Sequence, residues 1–237
     1  MLNKSKIVDV ETASLKGGIC ELASVEIGMD GKLKPNSLKV DRVNPECQIS
    51  FEAMAVHNIT QSDVENCPPI DQVYNKHQLK GDGYIIAHNA AFDLKMLPSD
   101  FVLPNQKVLC TLELARALYP KGVVESHKLG VLFYQFGLNE KFSFKGDFHS
   151  AGYDVQVTSA VLEYMLKDKG LNLDTAYALL NQPIELTHCF MKKYRDQEKT
   201  WEWVVKNDDN YVRWLLANFN WGDDNKELVQ YLKENVA

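Results

Sequence analysis

Apolar and polar positions alternate at the start of the chain, where Ile7, Val8 and Val10 interleave with Asp9 and Glu11. A period of two predicts a strand over 6–10, with both acids on one face and Val8 and Val10 on the other. Apolar runs follow at 19–27 and 33–40, separated by Gly17-Gly18 and Asp30-Gly31, which predicts an antiparallel meander. The period then changes. Helices are predicted over 69–79, 92–97, 111–118, 126–136 and 151–168, with strands at 84–87 and 107–110. The fold class is therefore α/β, a mixed sheet with helices packed on it. No internal repeat or low-complexity tract interrupts the pattern.

Lys169-Gly170 marks the expected boundary between a domain at 1–169 and a small, mainly helical subdomain at 170–237. Beyond it come a short helix at 174–180, a turn at Gln182-Pro183, and all four tryptophans, Trp201, Trp203, Trp214 and Trp221. Two readings of those tryptophans stand. They form the core of the subdomain, or they interleave with Lys192, Lys193, Arg195 and Lys199 to stack on unpaired bases.

A chain of 237 residues with 45% hydrophobic residues has enough apolar surface for one large domain and an appendage. There is no long apolar run and no signal-like amino terminus, so a soluble, cytoplasmic protein without membrane association is expected. The five cysteines, Cys20, Cys47, Cys67, Cys110 and Cys189, lack paired metal-ligand spacing and are expected as buried thiols. A net charge of −6 excludes a protein that coats nucleic acid nonspecifically. It leaves open local basic clusters at Lys76–Lys80, Lys121–Lys128, Lys141–Lys145 and Lys192–Lys199, any of which could be a plain solvated face.

Candidate chemistry lies in three places. Asp9 and Glu11 converge on one strand face and repel unless a cation or proton intervenes. In Tyr84 to Leu97, a buried strand leads through His88 and Asn89 into a helix whose first turn holds Asp93, where the macrodipole favours a carboxylate. In Phe148 to Leu166, Ser150 is the predicted N-cap, which puts His149 at N′ and Asp154 at N4, the two positions that meet across a helix start. Each alone could be structural. Together they make a four-acid, one-histidine set suited to metal-dependent phosphodiester cleavage.

The segments DVET, HNAAFD and HSAGYD resemble the three motifs of the DEDDh class of 3′ to 5′ exonucleases, with Asp9, Glu11, Asp93, His149 and Asp154 in the family's order. VLCTLELARALYP and ISFEAMAVHNIT resemble further family segments, although Asn58 stands where glycine is usual. Within the class, DVETASLKGGICELASVEI and the tail MKKYRD…NYVRWLL look most like the bacterial exonuclease X branch, but Met191-Lys192-Lys193-Tyr194 lacks that branch's glycine. The resemblance covers about residues 5 to 168 and implies a ribonuclease H-like fold.

Two divalent ions on Asp9, Glu11, Asp93 and Asp154 would clamp the scissile phosphate, with Mg²⁺ expected for an oxygen-only set and Mn²⁺ as its substitute. His149 would serve as general base. Thr12, Leu15 and Asn89 are the expected substrate contacts, Leu15 against the last base. The expected partner is a DNA 3′ end, single-stranded or duplex, with nucleoside 5′-monophosphate as product. An RNA-trimming enzyme, a proofreading subunit or a non-catalytic nucleic-acid-binding protein are the alternatives, and no residue decides between DNA and RNA.

Overall fold

The computed structural model describes residues 4–120, 122–221 and 225–236. Lys121, at the head of one expected basic cluster, lies outside them. In chain order the first unit contains β1 (Ser5–Thr12), β2 (Ile19–Ile27), β3 (Lys39–Arg42), α1 (Phe51–His57), α2 (Gln61–Val64), α3 (Ile70–His77), β4 (Ile85–Ala87), α4 (Ala90–Met96), β5 (Val108–Cys110), α5 (Thr111–Leu118), α6 (Leu129–Gln135), α7 (Ala151–Lys169) and α8 (Leu173–Leu180). The strands form one sheet in the order β3-β2-β1-β4-β5. β2 pairs antiparallel with both β1 and β3, while β4 pairs parallel to β1 and β5 parallel to β4. This is the ribonuclease H-like mixed sheet.

The alternation in β1 assigns its two faces to two different cores. Ile7 packs with Ala23, Val25, Val155, Val161 and Leu162 on one side; Val8 and Val10 pack with Leu22, Val73, Ala90 and Leu97 on the other. Asp9 and Glu11 continue the Ile7 face, the face covered by α7. That helix is buried nearly all round, from Ala151 through Leu166. It comes close to the sheet because it presents small residues: a Cβ on Gly152 would lie 2.7 Å from Val40 Cγ2, and Ser159 Oγ donates to Gly31 O at 2.8 Å.

The third strand forms at 39–42, not over 33–40. Leu33 makes only an isolated bridge to Ile27, after which Asn36 takes a left-handed conformation at φ 58° and interrupts any ladder. α1 and α2 fill a stretch for which periodicity indicated no helix. Ser50 caps α1 by accepting from Ala53 N–H at 3.1 Å. Asn58 ends it in the left-handed region at φ 57°, which asparagine tolerates better than most residues where glycine is the usual choice.

The turn at Gly170 is the left-handed C-cap of α7, and the division between compact units falls after Leu180. Leu173 and Ala176 of α8 are part of the first unit's core. The second unit, from Asn181 onward, holds a 3₁₀ turn at Ile184–Leu186 and helices α9 (Lys192–Arg195), α10 (Trp201–Asn207), α11 (Asp209–Asn218) and α12 (Lys226–Asn235). Its core uses Trp201, fully buried, with Cys189, Tyr194, Val204, Val212 and Leu232. The tryptophans divide between the two readings: Trp221 packs against that core, whereas Trp203 and Trp214 are 37% and 56% exposed. Cys20, Cys110 and Cys189 are buried, but Cys47 is exposed and Cys67 only half-buried. Among the described residues no helix is long and apolar enough to cross a membrane.

Candidate active site

β1 delivers Asp9 and Glu11 to the sheet face beneath the start of α7, and Asp154 sits one turn into that helix. One carboxylate oxygen from each of the three lies within 4.8 Å of the other two. Asp93 approaches from α4, is 3% exposed, and its Oδ1 accepts from Val10 N–H at 3.2 Å. Val10 separates Asp9 from Glu11, so that bond ties α4 to the strand position between the two acids. Three of the four acids expected from the motifs thus converge, and Asp93 flanks them through Val10.

Crowding four carboxylates in a buried place has an electrostatic consequence. Burial, then the charges of Asp93, Asp154, Glu11 and Glu21, hold the Asp9 carboxyl well above the usual carboxylate range. Burial, then Asp154, Glu21 and Asp93, push Glu11 up to about 8. Burial raises Asp93 to about 7 against the opposing Val10 N–H, and Asp154 to about 7 against the His149 N–H. Such a cluster calls for a cation. Asp154 Oδ1 is buried with no hydrogen-bond partner, which leaves a member of the cluster with an unsatisfied oxygen. An unpartnered buried oxygen beside two converging carboxylates fits a hard divalent ion bound through oxygen.

His149 does not meet Asp154 through its ring. Its backbone is left-handed at φ 66°, and it is the His149 N–H that donates to Asp154 Oδ2 at 3.1 Å. That bond orients one oxygen of Asp154 and leaves the imidazole exposed at the edge of the cluster. Ser150 takes the N-cap position, but its hydroxyl makes no cap bond; the N–H of Ala151 instead goes to Glu21 Oε2 at 2.7 Å.

The expected substrate residues lie around the same place. Thr12 is buried at the end of β1, where the ladder slips between Glu11 and Thr12, and its carbonyl meets His57 Nε2 at 3.2 Å. Leu15, 81% exposed, stands out from the following loop. Gly18 allows that loop to fold back, since a Cβ there would come 2.2 Å from the Pro45 carbonyl oxygen. Asn89 is left-handed at φ 76° and heads α4.

A cleft of about 1030 Å³ opens from Asp9, His149 and Asp154 along Asn89, Arg116, His127, Lys128, Tyr134 and Phe148. Lys128 and His127 belong to one of the basic clusters and Arg116 to the VLCTLELARALYP segment; Tyr134 and Phe148 were not singled out. His88 lies in the cleft wall and is structural: its Nδ1 contacts Thr111 Oγ1 at 3.0 Å and its Nε2 donates to His127 O at 3.0 Å. Burial lowers its pKa to about 4, so the ring stays neutral and fastens the loop before α6 to the end of β4.

A family model described as "Exonuclease" matches residues 7–162, which span β1 to most of α7. The chain belongs to this exonuclease family. It is 34% identical over 216 residues to exodeoxyribonuclease 10 of Escherichia coli strain K12, covering 91% of each chain. Among solved structures it resembles exonuclease X in complex with 5′ overhanging duplex DNA, at 31% identity and a TM-score of 0.62, covering 75% of this chain and 99% of that one. The nuclease domain of 3′hExo, a DEDDh family member bound to rAMP, shares the fold at 18% identity and a TM-score of 0.54, over 70% of this chain and 92% of that one. The exonuclease is of the DEDDh type, a hydrolytic nuclease.

Proposed function

We propose that this exonuclease removes nucleoside 5′-monophosphates one at a time from DNA 3′ ends, using two divalent ions. The observation that carries the reading is the convergence of the Asp9, Glu11 and Asp154 carboxylates with an unpartnered Asp154 oxygen among them. Asp9, Glu11, Asp93 and Asp154 would hold the ions, with Mg²⁺ the expected metal and Mn²⁺ its substitute. When bound, the ions supply charge neutralisation at the scissile phosphate and stabilise the attacking and leaving oxygens.

The chain's own groups do the rest. The His149 imidazole, exposed at the edge of the cluster, takes a proton from the attacking water. Its backbone N–H, donated to Asp154, ties the position of the base to that acid. Leu15 offers an apolar surface to the terminal base; Thr12 and Asn89 flank the 3′ end. The strand upstream follows the cleft, where Arg116 and Lys128 face phosphates and Tyr134 and Phe148 offer rings to bases. DNA is favoured over RNA by the relatives, exodeoxyribonuclease 10 and the DNA-bound exonuclease X.

Product analysis on end-labelled single-stranded DNA, duplex DNA and RNA with Mg²⁺ tests the reading. DNA should yield 5′-monophosphates from its 3′ end, and a 3′ phosphate should slow the reaction strongly while a 5′ block does not. Attack from the 5′ end would overturn the polarity, and faster release from RNA would overturn the substrate.

A further inference from the structure

Glu21 is a fifth carboxylate at the site, and it is occupied differently from the other four. It lies on β2 directly opposite Glu11 of β1 and directly opposite Arg42 of β3. Two acids facing each other across a ladder repel, and a carboxylate only 2% exposed is costly to bury unless it is partnered. Both of its oxygens are engaged. Oε1 faces Arg42 Nε at 3.3 Å, which balances the charge, and Oε2 accepts from the N–H of Ala151 at 2.7 Å.

Ala151 is the first residue of α7. Its N–H is one of the donors that a helix start leaves unpaired, and the Ser150 side chain does not satisfy the helix end. The anchor therefore comes from the sheet, and an anion at this end also complements the helix dipole. Asp154 follows one turn later and His149 immediately precedes the cap, so the orientation of both depends on where the start of α7 is held. Asp154 Oδ1 has no partner, whereas each Glu21 oxygen already has one from the protein.

We propose that Glu21 is a positioning residue for the exonuclease reaction: it fastens the start of α7 to the sheet and thereby sets Asp154 and His149 against Asp9 and Glu11. This rests on the functional reading above. Two substitutions separate its parts. Glu21→Gln keeps an oxygen for the Ala151 N–H and removes the charge; Glu21→Ala removes both. Ala151→Pro deletes the donor while leaving the carboxylate, at a first helical position that proline tolerates and behind a Ser150 already extended at φ −122°, ψ 122°.

The measurements are Mn²⁺ and Mg²⁺ binding by calorimetry and steady-state kinetics on 3′-labelled DNA, well below each variant's Tm. Glu21→Ala and Ala151→Pro should each lose about 10- to 100-fold in metal affinity or turnover, as for other groups that orient ligands, with KM for DNA little changed. Glu21→Gln should recover most of the loss. Unchanged turnover and metal affinity in Glu21→Ala would overturn the proposal, as would a lower Tm as its sole effect. So would a Glu21→Gln variant that binds one ion fewer than wild type, which would make Glu21 a ligand. Should Glu21→Ala not fold, Ala151→Pro and Glu21→Gln decide. A wild-type protein that binds no ion and releases no nucleotide would instead sink the functional reading and leave the anchor itself untouched.

Discussion

Stability should depend on pH and on metal in a way that the carboxylate cluster dictates. In chelator, the folded protein holds protons that the unfolded chain has already released. Glu11 keeps its proton up to about 8 against an ordinary value of 4.5, and Asp9 is raised well above the carboxylate range. Where the folded state binds more protons, stability falls as pH rises, by about 1.4 kcal/mol per unit per proton. The useful window is pH 6.5 to 8. Below it the buried His77 and His88, held near 4 by burial, pull in the opposite direction, because the unfolded chain takes up their protons near 6.5 and stability grows as pH rises toward that value. Within the window, Glu11 alone contributes a loss of roughly 2 kcal/mol, and Asp9, raised by burial and its acidic neighbours, acts in the same direction. For a protein of this size, 1 kcal/mol moves Tm by about 2–4 °C, so a fall of at least roughly 4–8 °C is expected in chelator. Mg²⁺ should abolish the slope, since ligands must be deprotonated to bind and binding then favours the folded state. Melting curves at pH 6.5, 7.25 and 8, each with chelator and with Mg²⁺, test this. A Tm in chelator that is flat or rising across the window would refute the reasoning, and so would a Mg²⁺ increment of equal size at pH 6.5 and 8.

Asp9→Asn should abolish nucleotide release yet raise Tm in chelator at pH 8, because one of the mutually repelling charges is gone; an active variant, or one less stable in chelator than wild type, contradicts the assigned role. His149→Ala should lower turnover by about 10²- to 10⁴-fold, the range for a general base, with the Mg²⁺ isotherm unchanged; loss of an ion in calorimetry would make His149 a ligand. Leu15→Ala should alter stability by less than about 0.5 kcal/mol, as expected for an exposed position, while slowing degradation of paired ends, and equal losses in Tm and rate would assign Leu15 a structural role only.

The parts of the fold legible in the sequence are those where one period persists. β1 and β2 formed where alternation and continuous apolarity placed them, and α7 formed where Ser150 and Gly170 bracket a long apolar stretch. The misplaced third strand shows the limit. Leu33 and Leu38 make 33–40 look like a strand, but Pro35 and the left-handed Asn36 prevent a continuous ladder, and the paired residues are Lys39 to Arg42, three of them charged and none of them buried. Strand 39–42 is held by hydrogen bonds to β2, a contribution that hydrophobic periodicity does not register. α1 and α2 escaped for a related reason: α1 buries only His57 and α2 only Val64, too little to print a helical stripe.

The site divides in the same way. Asp9, Glu11, Asp93, His149 and Asp154 were legible because each sits in a local motif, a strand alternation or a helix start, that marks it without knowledge of the fold. Glu21 has no such motif. It is a single acid in Ile19-Cys20-Glu21-Leu22-Ala23, and its meaning comes from cross-strand register, which places it between Glu11 and Arg42, and from a hydrogen bond to a residue far along the chain, Ala151. A charged residue inside a run that is otherwise wholly buried is nevertheless a signal, since burying a carboxylate without partners is costly. Glu11 and Glu21 face each other while Asp154 descends from above. An arrangement of that kind is stable only if some acids are neutralised by protein groups and the others by something the protein must recruit. Arg42 and the start of α7 satisfy Glu21; no hydrogen-bond donor satisfies Asp154 Oδ1. That division accounts for Glu21 holding the start of the helix while Asp154 keeps an oxygen ready for an ion.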